Sequence, residues 1–274
     1  MKKQLLALAV LLAATTWSYG QITKDDKLSR GYLRLGLSNF GRELNNDLSN
    51  FSVNDGGAFD SEASMLGNLK EGRYGAKRGY VFEFGRNYYF NTNSLLPLFD
   101  TKIGLDWTQL SFTYNELDWS SIVERDRADG YEVEEFDYFA ASVSSKIGPV
   151  VSINFIDKLV LDVRAQLAAT YFVNWLDYYA YNEEDERYFT FFPEKEIEDV
   201  EEENVFSAFG KLGKFGLKQN YGATVRYGAI GLAIDYFPGS FKYDYETSEG
   251  GGEVQAGKEK FMNNIFQIKL SLTL

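Results

Sequence analysis

The chain contains no cysteine and no histidine, and its 274 residues include only four prolines. Without cysteine no disulfide can brace it, so hydrogen bonds and packing must hold the fold. Without histidine, a Ser-His-Asp triad and any histidine-ligated metal site are excluded. Long apolar runs are also scarce. Leu5 to Ala14 spans ten residues, about half of the ~20 that a spanning helix needs. Nothing after Ala14 resembles such a helix. The net charge of −12 disfavours nucleic-acid binding.

What the chain has instead is glycine and aromatics. Aromatics make up 16% of it, a profile that suits many strands and turns better than helices. The start reads as an export signal over residues 1–20. Lys2 and Lys3 form a basic head, Leu5 to Ala14 the apolar stretch, and Ser18-Tyr19-Gly20 a small-residue cleavage site. An N-terminal membrane anchor is the rival reading, and the run is short for it. No cysteine follows the site, which excludes a lipoprotein anchor there. Residues 21–274 then fit one domain.

The alternation is plainest at the C-terminus. Phe266, Ile268, Leu270, Leu272 and Leu274 fall on one side, and Gln267, Lys269, Ser271 and Thr273 on the other. Successive strand side chains point to opposite faces, so this is a two-faced strand. Eight such strands are expected, near 31–40, 76–90, 100–114, 136–147, 157–173, 211–227, 231–245 and 259–274. The third changes parity between Ile103-Leu105-Trp107 and Leu110-Phe112-Tyr114. A bulge at Thr108 or Gln109 would account for it, because one extra residue flips every later side chain. Pro238-Gly239 interrupts the seventh strand.

The gaps alternate in length. Those at 91–99, 148–157 and 228–230 are short, and those at 41–75, 115–135, 174–210 and 246–258 are long. Short turns at one end and long loops at the other are the habit of bacterial outer-membrane barrels. A soluble lipocalin-like barrel would turn its apolar stripe inward, and a membrane barrel turns it outward. Strand length favours the membrane, since ~9–11 tilted residues cross a bilayer. Aromatics near strand ends, such as Tyr88, Tyr89, Phe90, Tyr171, Phe172, Trp175, Tyr227 and Tyr236, suit its two interfaces.

In signal peptide, loop asymmetry and closing strand, the chain resembles the eight-stranded outer-membrane β-barrels of the OmpA/OmpX type. The likeness is architectural and covers residues 21–274. It implies an all-β, antiparallel up-and-down transmembrane barrel with short periplasmic turns and long acidic extracellular loops. It also implies that Phe266, Ile268, Leu270, Leu272 and Leu274 form the assembly signal, although that family usually ends on an aromatic residue. Ile147-Gly148-Pro149-Val150-Val151 looks like one of its periplasmic turns.

With apolar stripes outward, the lumen receives Arg34, Lys146, Arg164, Arg226 and Lys269 together with Glu83, Asp106, Asp162 and Asp235. An eight-stranded barrel is just wide enough for side chains to fill it, so these nine are expected to pair into a charge network. An ion pathway is the alternative. Outer-membrane barrel enzymes resemble one another in using histidine, which leaves only carboxylate-pair catalysis open. Gly210 to Gly216 lacks phosphate-loop spacing and precedes a strand. No catalytic residue, cofactor or resident metal is expected.

Segments 115–135 and 174–210 together hold 20 acidic and 4 basic residues. Their net of −16 exceeds the −12 of the whole chain, so the remainder is net positive. Three readings apply. The loops are a solvated repulsive face; they bind divalent cations through Asp126, Asp129, Glu132 or Glu201-Glu202-Glu203; or they dock a protein partner through Trp175, Tyr178, Tyr179, Phe191 and Phe192. The leading expectation is a non-enzymatic, structural or loop-presenting outer-membrane barrel, in contact with outer-membrane lipid and suited to a larger envelope complex. A narrow, porin-like pore comes second. A histidine-free enzyme and a soluble periplasmic barrel follow.

Overall fold

A computed structural model describes residues 28–40, 63–77, 79–91, 94, 99–134, 138–156, 158–191, 213–249 and 254–274. The signal segment 1–20, loop residues 41–62, Phe192 and the run Glu201-Glu202-Glu203 lie outside them.

Eight strands close on themselves. They are β1 (Ser29–Phe40), β2 (Gly79–Tyr89), β3 (Asp100–Glu116), β5 (Phe139–Ile156), β6 (Leu159–Trp175), β9 (Gly213–Tyr227), β10 (Ile230–Phe237) and β13 (Ile265–Thr273). Around the wall the order is β1-β13-β10-β9-β6-β5-β3-β2, antiparallel throughout. The seam joins the two ends of the chain, from Tyr32 opposite Thr273 to Phe40 opposite Ile265. Closure leaves this wall without a sheet edge.

The period of two decides which side chains enter the barrel. On β6, Asp162, Arg164, Gln166 and Thr170 are buried, while Val163 and Leu167 stand 46% and 55% exposed on the outside. The parity change in β3 has the cause its sequence suggests. Phe84 lies opposite Leu110 and Gly85 opposite Thr108, which leaves Gln109 as the extra residue. Inward positions shift from Asp106 and Thr108 to Ser111, Thr113 and Asn115.

Three strand boundaries differ from expectation. Ile147 to Val151 is not a turn but the middle of β5, with Pro149 opposite Leu105 of β3. Proline lacks an N–H, and on the β6 side neither Gly148 nor Pro149 takes part in the pairing, so no ladder bond is lost there. Gly148 also permits the close approach of β6, since a Cβ would sit 2.0 Å from the Ala165 carbonyl. The chain reverses just before β6, where Lys158 adopts the left-handed φ of 73°. The proposed seventh strand splits into β10 and β11 (Ser240–Glu249), in separate sheets, at Pro238-Gly239. The proposed eighth splits into β12 (Gln255–Met262) and β13 at Asn263-Asn264.

Those separated pieces belong to a second layer. A five-stranded sheet, ordered β12-β11-β8-β7-β4, combines β11 and β12 with β4 (Glu132–Glu134), β7 (Asp177–Tyr181) and β8 (Glu186–Thr190). Two helices join it, α1 (Met65–Lys70) and α2 (Ser120–Ala128). The Ser64 hydroxyl accepts the Gly67 N–H at the start of α1, and Asp118 accepts the Ser120 N–H at the start of α2. The described parts of the four long connections therefore fold into one dome at the end opposite the short turns.

An aromatic core welds dome to wall. Phe40, Ala140, Ala168, Phe172, Phe237 and Ile265 of the wall share a single buried cluster with Tyr178, Phe189, Tyr243 and Phe261 of the dome. Phe172 stacks on Phe241 at 5.5 Å, and Phe40 on Tyr74 at 4.6 Å. Trp119, 2% exposed, stacks on Tyr138 at 4.9 Å and donates its indole N–H to the Tyr74 carbonyl at 3.1 Å. Trp119→Ala removes this anchor at a cost of about 3–5 kcal/mol. Limited proteolysis should then cut within 117–138 while the barrel keeps its resistance to unfolding by detergent at room temperature.

Candidate functional site

The barrel interior is the chemically dense part of the molecule. Many inward strand positions carry a polar side chain, and an eight-stranded wall brings opposite sides within bonding distance. Glu83 accepts from Lys146 and pairs with Lys269 at 2.7 Å. Lys269 reaches on to Asp235, which Arg164 holds in a fork, Nε at 3.0 Å and Nη2 at 2.6 Å. Arg34 lies 3.7 Å from both Glu83 and Asp106, and its guanidinium rests 3.7 Å from the Tyr32 ring centre. The Tyr32 hydroxyl donates to Asp106 at 2.5 Å. Nearer the short turns, Arg226 donates to Asp162 at 3.0 Å.

The structure thus brings Arg34, Glu83, Asp106, Lys146, Asp162, Arg164, Arg226, Asp235 and Lys269 into the interior, all buried. Neutral groups extend the web, including Tyr32, Thr108, Ser111 and the Gln166 amide, which accepts from Asn220 at 2.7 Å. Two interior cations escape the sequence reading, Lys102 and Lys218. Parity alone would have found them, because 102 shares the inward register of Asp106 and 218 that of Arg226. Lys218 donates to the Asn263 carbonyl and sits 5.4 Å from the Phe241 ring centre, where the charge network meets the aromatic core. Among the described residues, the interior then holds seven basic and four acidic groups.

Every interior carboxylate is engaged by a cation, so none is set up as a free general base. Among the described residues, no group of three or more carboxylates could hold a metal ion. Asp126 and Asp129, considered above as cation ligands, are occupied by arginine. Arg187 donates to Asp126 at 2.9 Å and to Asp129 at 3.1 Å. Asp126 also accepts from the Tyr178 hydroxyl and from Arg125. This buried carboxylate ties α2 to the β7–β8 hairpin, and burial, then its bond to Asp126, pushes the Tyr178 phenol up.

The partner-loop residues divide. Tyr178 and Phe191 lie in the dome core, 0% and 3% exposed, which removes them from any docking surface. Trp175 ends β6 and stacks on Phe139. Tyr179 points outward. It stands on the open face of the dome sheet beside Tyr181 and Tyr188, with ring centres 5.7 and 6.5 Å away. Their hydroxyls donate to Glu186, Glu132 and Glu246 respectively. Asp177 and Glu134 share the face by register. Burial, then the neighbouring Glu134 charge, raises the Asp177 carboxyl above its ordinary range despite a Thr190 hydrogen bond.

No family model matches the chain, and no curated protein does. Among solved structures it is similar to Ail, the attachment invasion locus protein of Yersinia pestis, crystallised in complex with the heparin analogue sucrose octasulfate. Identity is 12%, with 90% of this chain and 97% of that chain covered, at a TM-score of 0.31. The barrel assignment rests on the strand pairing itself.

Asp235→Asn strands Arg164 and Lys269 in the interior. A loss of about 3–5 kcal/mol is expected, read as a lower urea midpoint in lipid vesicles.

Proposed function

We propose that this protein is a non-enzymatic, integral outer-membrane barrel whose dome presents an acidic, tyrosine-bearing face to a protein partner outside the cell. The observation that carries membrane residence is the inside-out distribution of polarity. Leu35, Ile103, Phe112, Leu217, Leu232 and Leu270, on five different strands, are each at least 40% exposed, while the interior is charged. A water-soluble barrel would leave that belt uncovered, and exposed apolar patches of such extent mark a lipid or protein contact. Residues 1–20 supply the export signal that such a location requires.

Leu167→Arg, in the middle of β6 and facing out, tests the lipid reading. It should cost about 2–4 kcal/mol and block assembly into vesicles. An effect as mild as that of an ordinary surface substitution would reject a bilayer around this wall.

The dome face supports the partner. Glu132, Glu134, Asp177, Glu186 and Glu246 surround the three tyrosines, and aromatic residues flanked by charge are the usual stuff of interfaces. A partner that relies on the Asp177 charge should bind more weakly as pH falls through that raised carboxyl's titration, read as a pH-dependent affinity in pull-down. Tyr181→Ala combined with Glu132→Gln should leave the barrel folded and release a subunit that co-purifies in mild detergent. The pore reading fares less well, because the charge network and aromatic core fill the axis. Planar-bilayer recordings should show no steady conductance.

A further inference from the structure

The interior has more positive charge than its carboxylates neutralise, and three arginines meet at its short-turn end. Beside the short turns lies a small, partly open cavity of about 10 Å³, room for one water-sized species, lined by Arg30, Arg34 and Arg226. Asp162 is the one carboxylate among its lining residues. Both of its oxygens are taken, Oδ1 by the Ser152 hydroxyl and Oδ2 by Arg226. Arg34 is 2% exposed, yet its Nε and Nη1 have no hydrogen-bond partner. Its approaches to Glu83 and Asp106, at 3.7 Å, are too long for hydrogen bonds. Guanidinium donors left bare in a buried site are costly unless a ligand satisfies them.

We propose that this cavity binds a small inorganic anion, a halide such as chloride, between the Arg34 and Arg30 guanidinium groups. Ser271 and Thr273 line the same cavity and add hydroxyl donors. The anion completes Arg34's hydrogen bonding and removes part of the positive surplus. A divalent cation is disfavoured by three arginines around one engaged carboxylate. A larger anion is disfavoured by the position of Arg34, in the buried depth rather than at the rim. The site faces the short-turn end, so it is independent of the dome and of any partner there.

The test uses the full folded protein in detergent, with bromide as the probe. Thermal unfolding is compared in sodium bromide and in sodium gluconate at matched ionic strength, and crystals grown in bromide are measured at its absorption edge. The midpoint should rise with bromide to saturation, and an anomalous peak should stand against the Arg34 guanidinium. Arg30→Gln, at the rim, should raise the half-saturating bromide concentration about tenfold. Asn87→Asp places a carboxylate in the cavity and should abolish the bromide response, while raising stability in gluconate. Equal midpoints in the two salts without an anomalous peak would overturn the proposal, as would an Asn87→Asp protein that keeps the wild-type bromide response.

Discussion

Closure of the sheet is the constraint from which the rest follows. A ring of eight strands satisfies every ladder in the wall, but it makes an interior too narrow for bulk water and too polar to stay unpaired. Each inward residue must therefore find its partner across the axis. Glu83 meets Lys146 and Lys269, and Asp235 meets Arg164 and Lys269, because β2, β5, β6, β10 and β13 face one another over that short span. One lysine bridging two carboxylates makes the network continuous rather than a set of separate pairs, and continuous networks resist piecemeal loss.

Much of this wall was legible in the sequence. A period of two is a local signal, and it specified both the strands and the inward identity of nine charged residues. Even the bulge at Gln109 could be read, since a parity change leaves a visible trace. What the pattern could not reveal is tertiary choice. Ile147 to Val151 carries a Gly-Pro pair that reads as a turn, yet the neighbouring ladder lapses beside it and the strand runs through. Pro238-Gly239 and Asn263-Asn264 are the opposite case, marking places where chain leaves one sheet for another. Lys102 and Lys218 lay inside the expected strands, and following the inward parity of Asp106 and Arg226 back along β3 and β9 would have found them.

The loops were harder still. Their acidity suggested a solvated, repulsive face as one reading, whereas their aromatics extend the buried cluster from the wall into the dome. A sequence rich in both cannot say which aromatic faces in. Tyr178 and Tyr179 are adjacent, and one is sealed against Asp126 while the other faces outward, only because β7 alternates like any strand. Carboxylates follow the same rule: Asp126 is buried under arginine, and Glu132 rims the outer face. The negative charge is thus sorted, not merely accumulated.

The pairing of β1 with β13 has a consequence for biogenesis. The first wall strand finds its second neighbour only in the last, more than two hundred residues later in translation. Until the tail emerges, Tyr32 to Phe40 offers bare amides to any passing chain. Folding must therefore keep that edge guarded until β13 arrives, and close the wall in a single late event.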